Sequence, residues 1–199
     1  MVNPNNSGIG GAGLNRLKMK GSEEVASFWD KTGTPQNIFW FGKAWAAHRG
    51  RDAELPYDNH FLHALCAPRC LLLTDAYEDF SANPAGTYAA AMATRPVFQL
   101  LGRPEGIGWA YREGGHNHAA EDYKALLDFM DVVSADLGCP LVSCSYCCPR
   151  CLLLAISHSS DSRRCGEQHL HHRKLTRNFQ RPLYPELASI LLPAKGKAQ

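Results

Sequence analysis

Apolar runs and amphipathic stretches alternate through the middle of this 199-residue chain. Residues 70–74 (CLLLT) are apolar without a break, as expected of a parallel strand buried on both faces. Residues 86–101 follow at helical spacing and are rich in alanine, with Pro96 expected to kink or divide the helix. Residues 102–106 read as a turn and 107–112 (IGWAYR) as a second strand. A helix is predicted over 119–137, where Tyr123, Leu126, Leu127, Met130 and Val133 recur every three or four residues. Upstream, residues 1–20 are glycine-rich and loop-like. Val25, Phe28 and Trp29 have helical spacing, and the aromatic run 38–41 is expected to pack inside. Residues 55–60 form a turn into a short helix through Phe61, Leu62 and Leu65. The order strand, loop, helix, strand, loop, helix predicts an α/β fold with an open parallel sheet.

Past Gly138 this pattern stops. Residues 139–156 have no clean period, and 157–182 are polar and histidine-rich. The chain therefore divides into an α/β portion at 1–138 and an irregular Cys/His-rich tail at 139–199, expected to be disordered or unrelated. Six of the eight cysteines fall in the tail (Cys139, Cys144, Cys147, Cys148, Cys151 and Cys165) rather than being spread as a disulfide framework would be. Cys144/Cys147 and Cys148/Cys151 have zinc-ligand spacing, but two abutting pairs wrap poorly around one ion, and His169, His171 and His172 do not complete the set. Incidental cysteines are the expectation, with no metal. A hexapeptide at 68–73 (PRCLLL) recurs at 149–154, too short and too isolated to mark a structural repeat.

Composition narrows the function classes. Hydrophobic content of 45% and charged content of 20% are globular values, and a net charge of +2 favours neither nucleic acid nor an acidic partner. No apolar run reaches the roughly 18 residues of a membrane span, and the first residues lack the pattern of a secretory signal. The glycine motif at 8–13 (GIGGAG) satisfies G-x-G-x-x-G. Only seven residues precede it, among them Pro4 and three asparagines, so no strand is expected there. A tight turn is predicted rather than a nucleotide site.

Candidate chemistry gathers on the two loops that follow the strands. His116 comes after Gly114-Gly115, which permits a sharp turn, and an imidazole suits proton transfer near neutral pH. The plainer alternative is a loop histidine capping the next helix, a role for which His118 is the better placed. Glu78 or Asp79, on the loop after the first strand, would orient the imidazole and stabilise its charged form. Read blandly, the same pair is a solvated turn before Asn83-Pro84.

Four segments together resemble the C-terminal half of the glucuronoyl esterases: 6–13 (NSGIGGAG), 55–69 (LPYDNHFLHALCAPR), 77–86 (YEDFSANPAG) and 114–118 (GGHNH). The resemblance covers roughly residues 3–135. It implies a partial α/β-hydrolase, a helix-flanked parallel sheet working without a cofactor through a Ser-His-acid triad. The expected activity is that of a carboxylic ester hydrolase acting on 4-O-methyl-glucuronic acid esters of plant cell-wall xylan and lignin. His116 matches the triad base. Many members carry glutamate where this chain has Asn6; others use an aspartate on the later loop, which Asp79 matches, with Glu78 the alternative acid. The tryptophan that usually contacts the sugar is replaced by Ser81 beside Phe80, leaving these two as candidate substrate contacts. The family's G-C-S-R-x-G-K elbow and any G-x-S-x-G are missing from the 199 residues. The chain alone is thus expected to be inactive, its complementing N-terminal half unidentified. The family implies a secreted or periplasmic protein. A non-catalytic carbohydrate- or partner-binding remnant and an incomplete gene product are the alternatives.

Overall fold

The structure is a computed structural model that describes residues 1–22, 48, 51–135 and 178–184. Its elements in chain order are α1 (His60–Ala64), β1 (Leu71–Ala76), α2 (Pro84–Leu100), β2 (Ile107–Arg112) and α3 (Ala120–Ala135). Single 3-10 turns lie at Asp52–Glu54, Phe80–Ala82 and Pro104–Gly106. β1 and β2 are parallel neighbours, with Leu71 opposite Ile107 and Ala76 opposite Arg112.

Side chains alternate across a strand, so each strand feeds two cores. Leu71 and Leu73 of β1, with Ile107 and Trp109 of β2, pack against Ala85, Tyr88, Ala89 and Phe98 of α2. Leu72 points the other way, to Phe129, Val132 and Val133 of α3. Burial on both faces is the reason the run at 70–74 carries no polar alternation. The run of alanines on α2 lets that helix lie close on the sheet. Of the two expected outcomes, division does not occur, since α2 continues through Pro96: the residue is exposed, so the carbonyl left without an amide partner one turn back can be hydrated. The helix ends at Gly102, whose φ of 69° suits glycine, with the amides of Gly102 and Arg103 returning to the carbonyls of Gln99 and Phe98.

As expected, the start of the chain is not a strand, but it lies against β1 through isolated bridges. Residues 2–6 do pair with β1, in parallel, through Val2 N–H to Cys70 O, Leu72 N–H to Val2 O, Thr74 N–H to Pro4 O and Asn6 N–H to Thr74 O. Pro4 has no N–H for Leu72 O, and the Asn3 amide supplies the missing donor at 3.0 Å. The Asn3 side chain thus keeps this bridged stretch on β1 in spite of the proline. The glycine motif after it is a tight turn, as predicted, with Gly11 and Gly13 N–H both returning to Gly8 O. A Cβ on Gly8 or Gly13 would lie 3.2 Å from the Ala82 backbone, so these glycines let the turn pack on the loop that follows β1.

Residues 178–184, assigned to the tail by sequence, lie against this sheet. Phe179 is buried in the α3-side core, and Leu183 and Tyr184 pack on the α2-side core. The cysteine pairs at 144–151, the histidines at 169–172 and the aromatic run at 38–41 lie outside the described residues. No helix among the described residues is long and apolar enough to cross a membrane.

Candidate active site

Parallel strands deliver their following loops to the same edge of a sheet, and here the two loops are zipped together. Tyr77 N–H donates to Arg112 O at 2.9 Å and Glu78 N–H to Gly114 O at 3.1 Å, extending the ladder one step past the strands. Gly114, at φ 97°, then turns the chain so that His116 comes back over the β1 loop. Its Nδ1 meets Asp79 Oδ2 at 2.8 Å. The burial is asymmetric: the Asp79 side chain is 3% exposed and that of His116 72%. A buried acceptor thus holds one ring nitrogen while the other edge of the imidazole stays open.

Asp79 is positioned from its own side as well. Its N–H donates to Ala76 O, its carbonyl accepts from Ala82 N–H, and its Oδ1 accepts the Ser81 hydroxyl at 3.2 Å. Ser81, a candidate sugar contact, thus spends its hydroxyl on the acid. Phe80 is half-exposed beside Gly21. Glu78, the alternative acid, is exposed and bonds through its backbone, while the Asp79 carboxylate is the one on the imidazole. His118 stacks on Tyr123 of α3, with ring centroids 4.2 Å apart and planes 21° from parallel. Among the described residues no group of three or more His, Cys, Asp or Glu could hold a metal.

Three polar anchors beneath the loops carried no signal that sequence reasoning picked out as functional. Asp58 gathers four donors: Asn15 N–H, Asn15 Nδ2 and Asn59 N–H on Oδ1, and Arg16 N–H on Oδ2. It so clamps the 55–60 turn to the chain leaving the glycine turn. Asn83, fully buried at φ 59°, caps α2 through Gly86 N–H and donates to Leu14 O and Leu17 O. A Cβ on Gly86 would sit 2.0 Å from the Asn83 amide nitrogen, so the cap requires glycine there. Arg112 bonds Asp122 at 2.9 Å, and Asp122 also caps α3 through Ala119 N–H. Both members of that ion pair are largely buried, which fixes β2 to the start of α3 directly behind the His116 loop.

The chain is similar to several known proteins. The carbohydrate esterase MZ0003 of an unknown prokaryotic organism is 34% identical over an alignment of 142 residues that covers 64% of this chain and 31% of that protein. The 4-O-methyl-glucuronoyl methylesterase 1 of Phanerochaete chrysosporium is 31% identical over 117 residues, 59% of this chain and 25% of that protein. Among solved structures, a glucuronoyl esterase of carbohydrate esterase family 15 from Caldicellulosiruptor kristjansonii matches with a TM-score of 0.58 and 36% identity. The match covers 64% of this chain and 35% of that one. The chain therefore spans about a third or less of the length of these proteins. Its helix-flanked parallel sheet is part of their α/β-hydrolase fold. A family model described as glucuronyl esterase of fungi matches residues 1–102, and the chain belongs to the glucuronoyl esterase family.

Proposed function

We propose that this chain carries the acid–base half of an ester hydrolase acting on esters of 4-O-methyl-glucuronic acid in plant cell-wall material. The observation that supports this reading most is the 2.8 Å contact between His116 Nδ1 and Asp79 Oδ2 at the open end of the sheet. A carboxylate accepting from Nδ1 keeps the proton on that nitrogen and leaves the lone pair on Nε2. Nε2 then takes the hydroxyl proton of a serine as its oxygen attacks the ester carbonyl. The imidazolium, stabilised by Asp79, returns the proton to the departing alcohol. A water molecule repeats both steps on the acyl-enzyme. The substrate class follows the names of the related 4-O-methyl-glucuronoyl methylesterases.

None of the serines in the 199 residues lies in a G-x-S-x-G turn. The reading therefore places the nucleophile on a segment outside them, and the chain by itself has no triad turnover. The test is hydrolysis of a chromogenic glucuronate ester by the chain alone and with a polypeptide carrying the family's serine elbow. The expected result is no turnover alone, and with the second polypeptide an activity that His116→Ala lowers by up to about 10⁶-fold. A burst of alcohol from the chain alone, abolished in His116→Ala, would overturn the assignment of the nucleophile elsewhere. Saturable uronate binding with no turnover in either arrangement would point instead to a non-catalytic carbohydrate-binding role.

A further inference from the structure

Asn6 stands between three segments that make up the candidate site. It is 5% exposed, and its φ of 43° lies in the left-handed region that asparagine tolerates better than most residues. Its Oδ1 accepts from the N–H of Ala76, the last residue of β1, at 2.8 Å. Its Nδ2 donates to Asn117 O at 2.9 Å, one residue beyond His116, and to Asn5 Oδ1 at 3.2 Å. Its backbone N–H is held by Thr74 O. The Asn117 carbonyl has one other described donor, the Arg112 guanidinium, which Asp122 fixes in turn.

We propose that Asn6 is a positioning residue for His116: its amide ties the Asn117 carbonyl to the end of β1 and so sets the imidazole against Asp79. The inference rests on reading His116 and Asp79 as the acid–base pair. The chemistry calls for an amide. The side chain must accept from Ala76 N–H on one side and donate to a carbonyl on the other, which a carboxylate, having only acceptors, cannot do. A carboxylate at position 6 would turn an oxygen against Asn117 O and leave that part-buried contact without a proton. Position 6 and position 79 thus hold complementary parts of one support, the amide fixing the loop and the acid fixing the ring.

The tautomer of His116 reports this directly and requires no turnover. ¹⁵N-labelled imidazole spectra of the full chain are recorded at a pH where the ring is neutral, with His116→Gln identifying the signal. In the wild-type chain the Nδ1–H form is expected to dominate. Asn6→Asp, which keeps the shape and the backbone angle, should lower the ratio of Nδ1–H to Nε2–H about tenfold, as losing about 1.4 kcal/mol of support would. The amide signals of β1 and α2 should remain in place. Asn6→Gly keeps the positive φ without the amide and should give the same loss, also where the aspartate variant fails to fold. An unchanged ratio in either folded variant overturns the positioning role alone. A wild-type chain without the Nδ1–H form overturns the His116–Asp79 reading, and the positioning role with it.

Discussion

Two titratable side chains sealed in the interior, His63 and Asp75, pull the stability of the fold in opposite directions as pH changes. His63 is 4% exposed; burial first, and the charge of His60 second, push it down to about 4 against the Ala12 backbone, which favours its charged form. Asp75 is 1% exposed, and burial pushes it up to about 7 against the Thr87 and Tyr111 hydroxyls and the Asn6 backbone that favour its charged form. The His63 contribution is complete above the unfolded value of 6.5 and is lost as pH falls through about 4. The Asp75 contribution is complete below about 4 and is lost as pH rises through about 7. At about 1.4 kcal/mol per unit, each slope integrates to the order of 3 kcal/mol, and between pH 4 and 6.5 they nearly cancel. Asp75→Asn removes one side of this balance. Urea unfolding across pH 4–8 should then show stability that rises to pH 6.5 and no longer falls toward 8. A variant that keeps the wild-type decline above pH 6.5 would remove Asp75 as its source. Neither residue stood out in the sequence, because their environments are assembled from other segments. His116 and Asp79 were legible because each sits a few residues past an apolar run. The Asn6 amide was not, since its partners lie 70 and 111 residues away.

The elements meet tightly where Gly108 of β2 faces α3 and the 178–184 segment. A Cβ at Gly108 would lie 2.8 Å from Phe129 Cε2 and 3.1 Å from Phe179 Cβ. The two phenyl rings meet edge to face, 5.2 Å apart, and cover this stretch of the strand. Gly108→Ala is expected to lower the unfolding free energy by about 1–3 kcal/mol through overpacking. Phe129→Leu should cost less in that variant than in the wild-type chain, since it vacates the space the new methyl needs. Strictly additive losses in the four-member cycle would refute the contact as the cause. At this scale the chain was readable wherever period alone decides. The second strand spans the predicted 107–112, and α3 lies within the predicted 119–137. Period did not reveal that β1 runs on to Ala76, because Asp75 looks like a strand end until Thr87 and Tyr111 are folded over it. The bridges from Val2 and Asn5 to β1 were hidden for a similar reason: the side chain that replaces Pro4's missing donor becomes visible once β1 lies alongside.

For the molecule as a whole, residues 178–184 act as a strap around the outer edge of β2. Phe179 is seated on the α3 face, the Gln180 amide donates to Pro104 O and Ile107 O at that edge, and Arg181 O accepts from the Trp109 indole. Tyr184 then joins Tyr77, Tyr88 and Tyr111 on the α2 face. An edge strand exposes carbonyls and amides that invite unwanted pairing, and the strap satisfies one of these and shields the aromatic side chains next to it. No periodicity in the chain announces this, for a seven-residue segment that wraps an edge has neither the strand nor the helix repeat. The α/β portion and the 178–184 segment are therefore proposed to be one cooperative unit, in place of a domain that ends at 138 with a dispensable tail. Phe179→Ala should cost about 3 kcal/mol, the usual loss for a buried phenyl. A chain ended after Gly138 should lose at least as much and melt lower. Its Trp109, deprived of the Arg181 carbonyl and the covering side chains, should emit at longer wavelength. If the shortened chain instead melts with the full one, the strap is an ornament of the surface and the fold is complete without it.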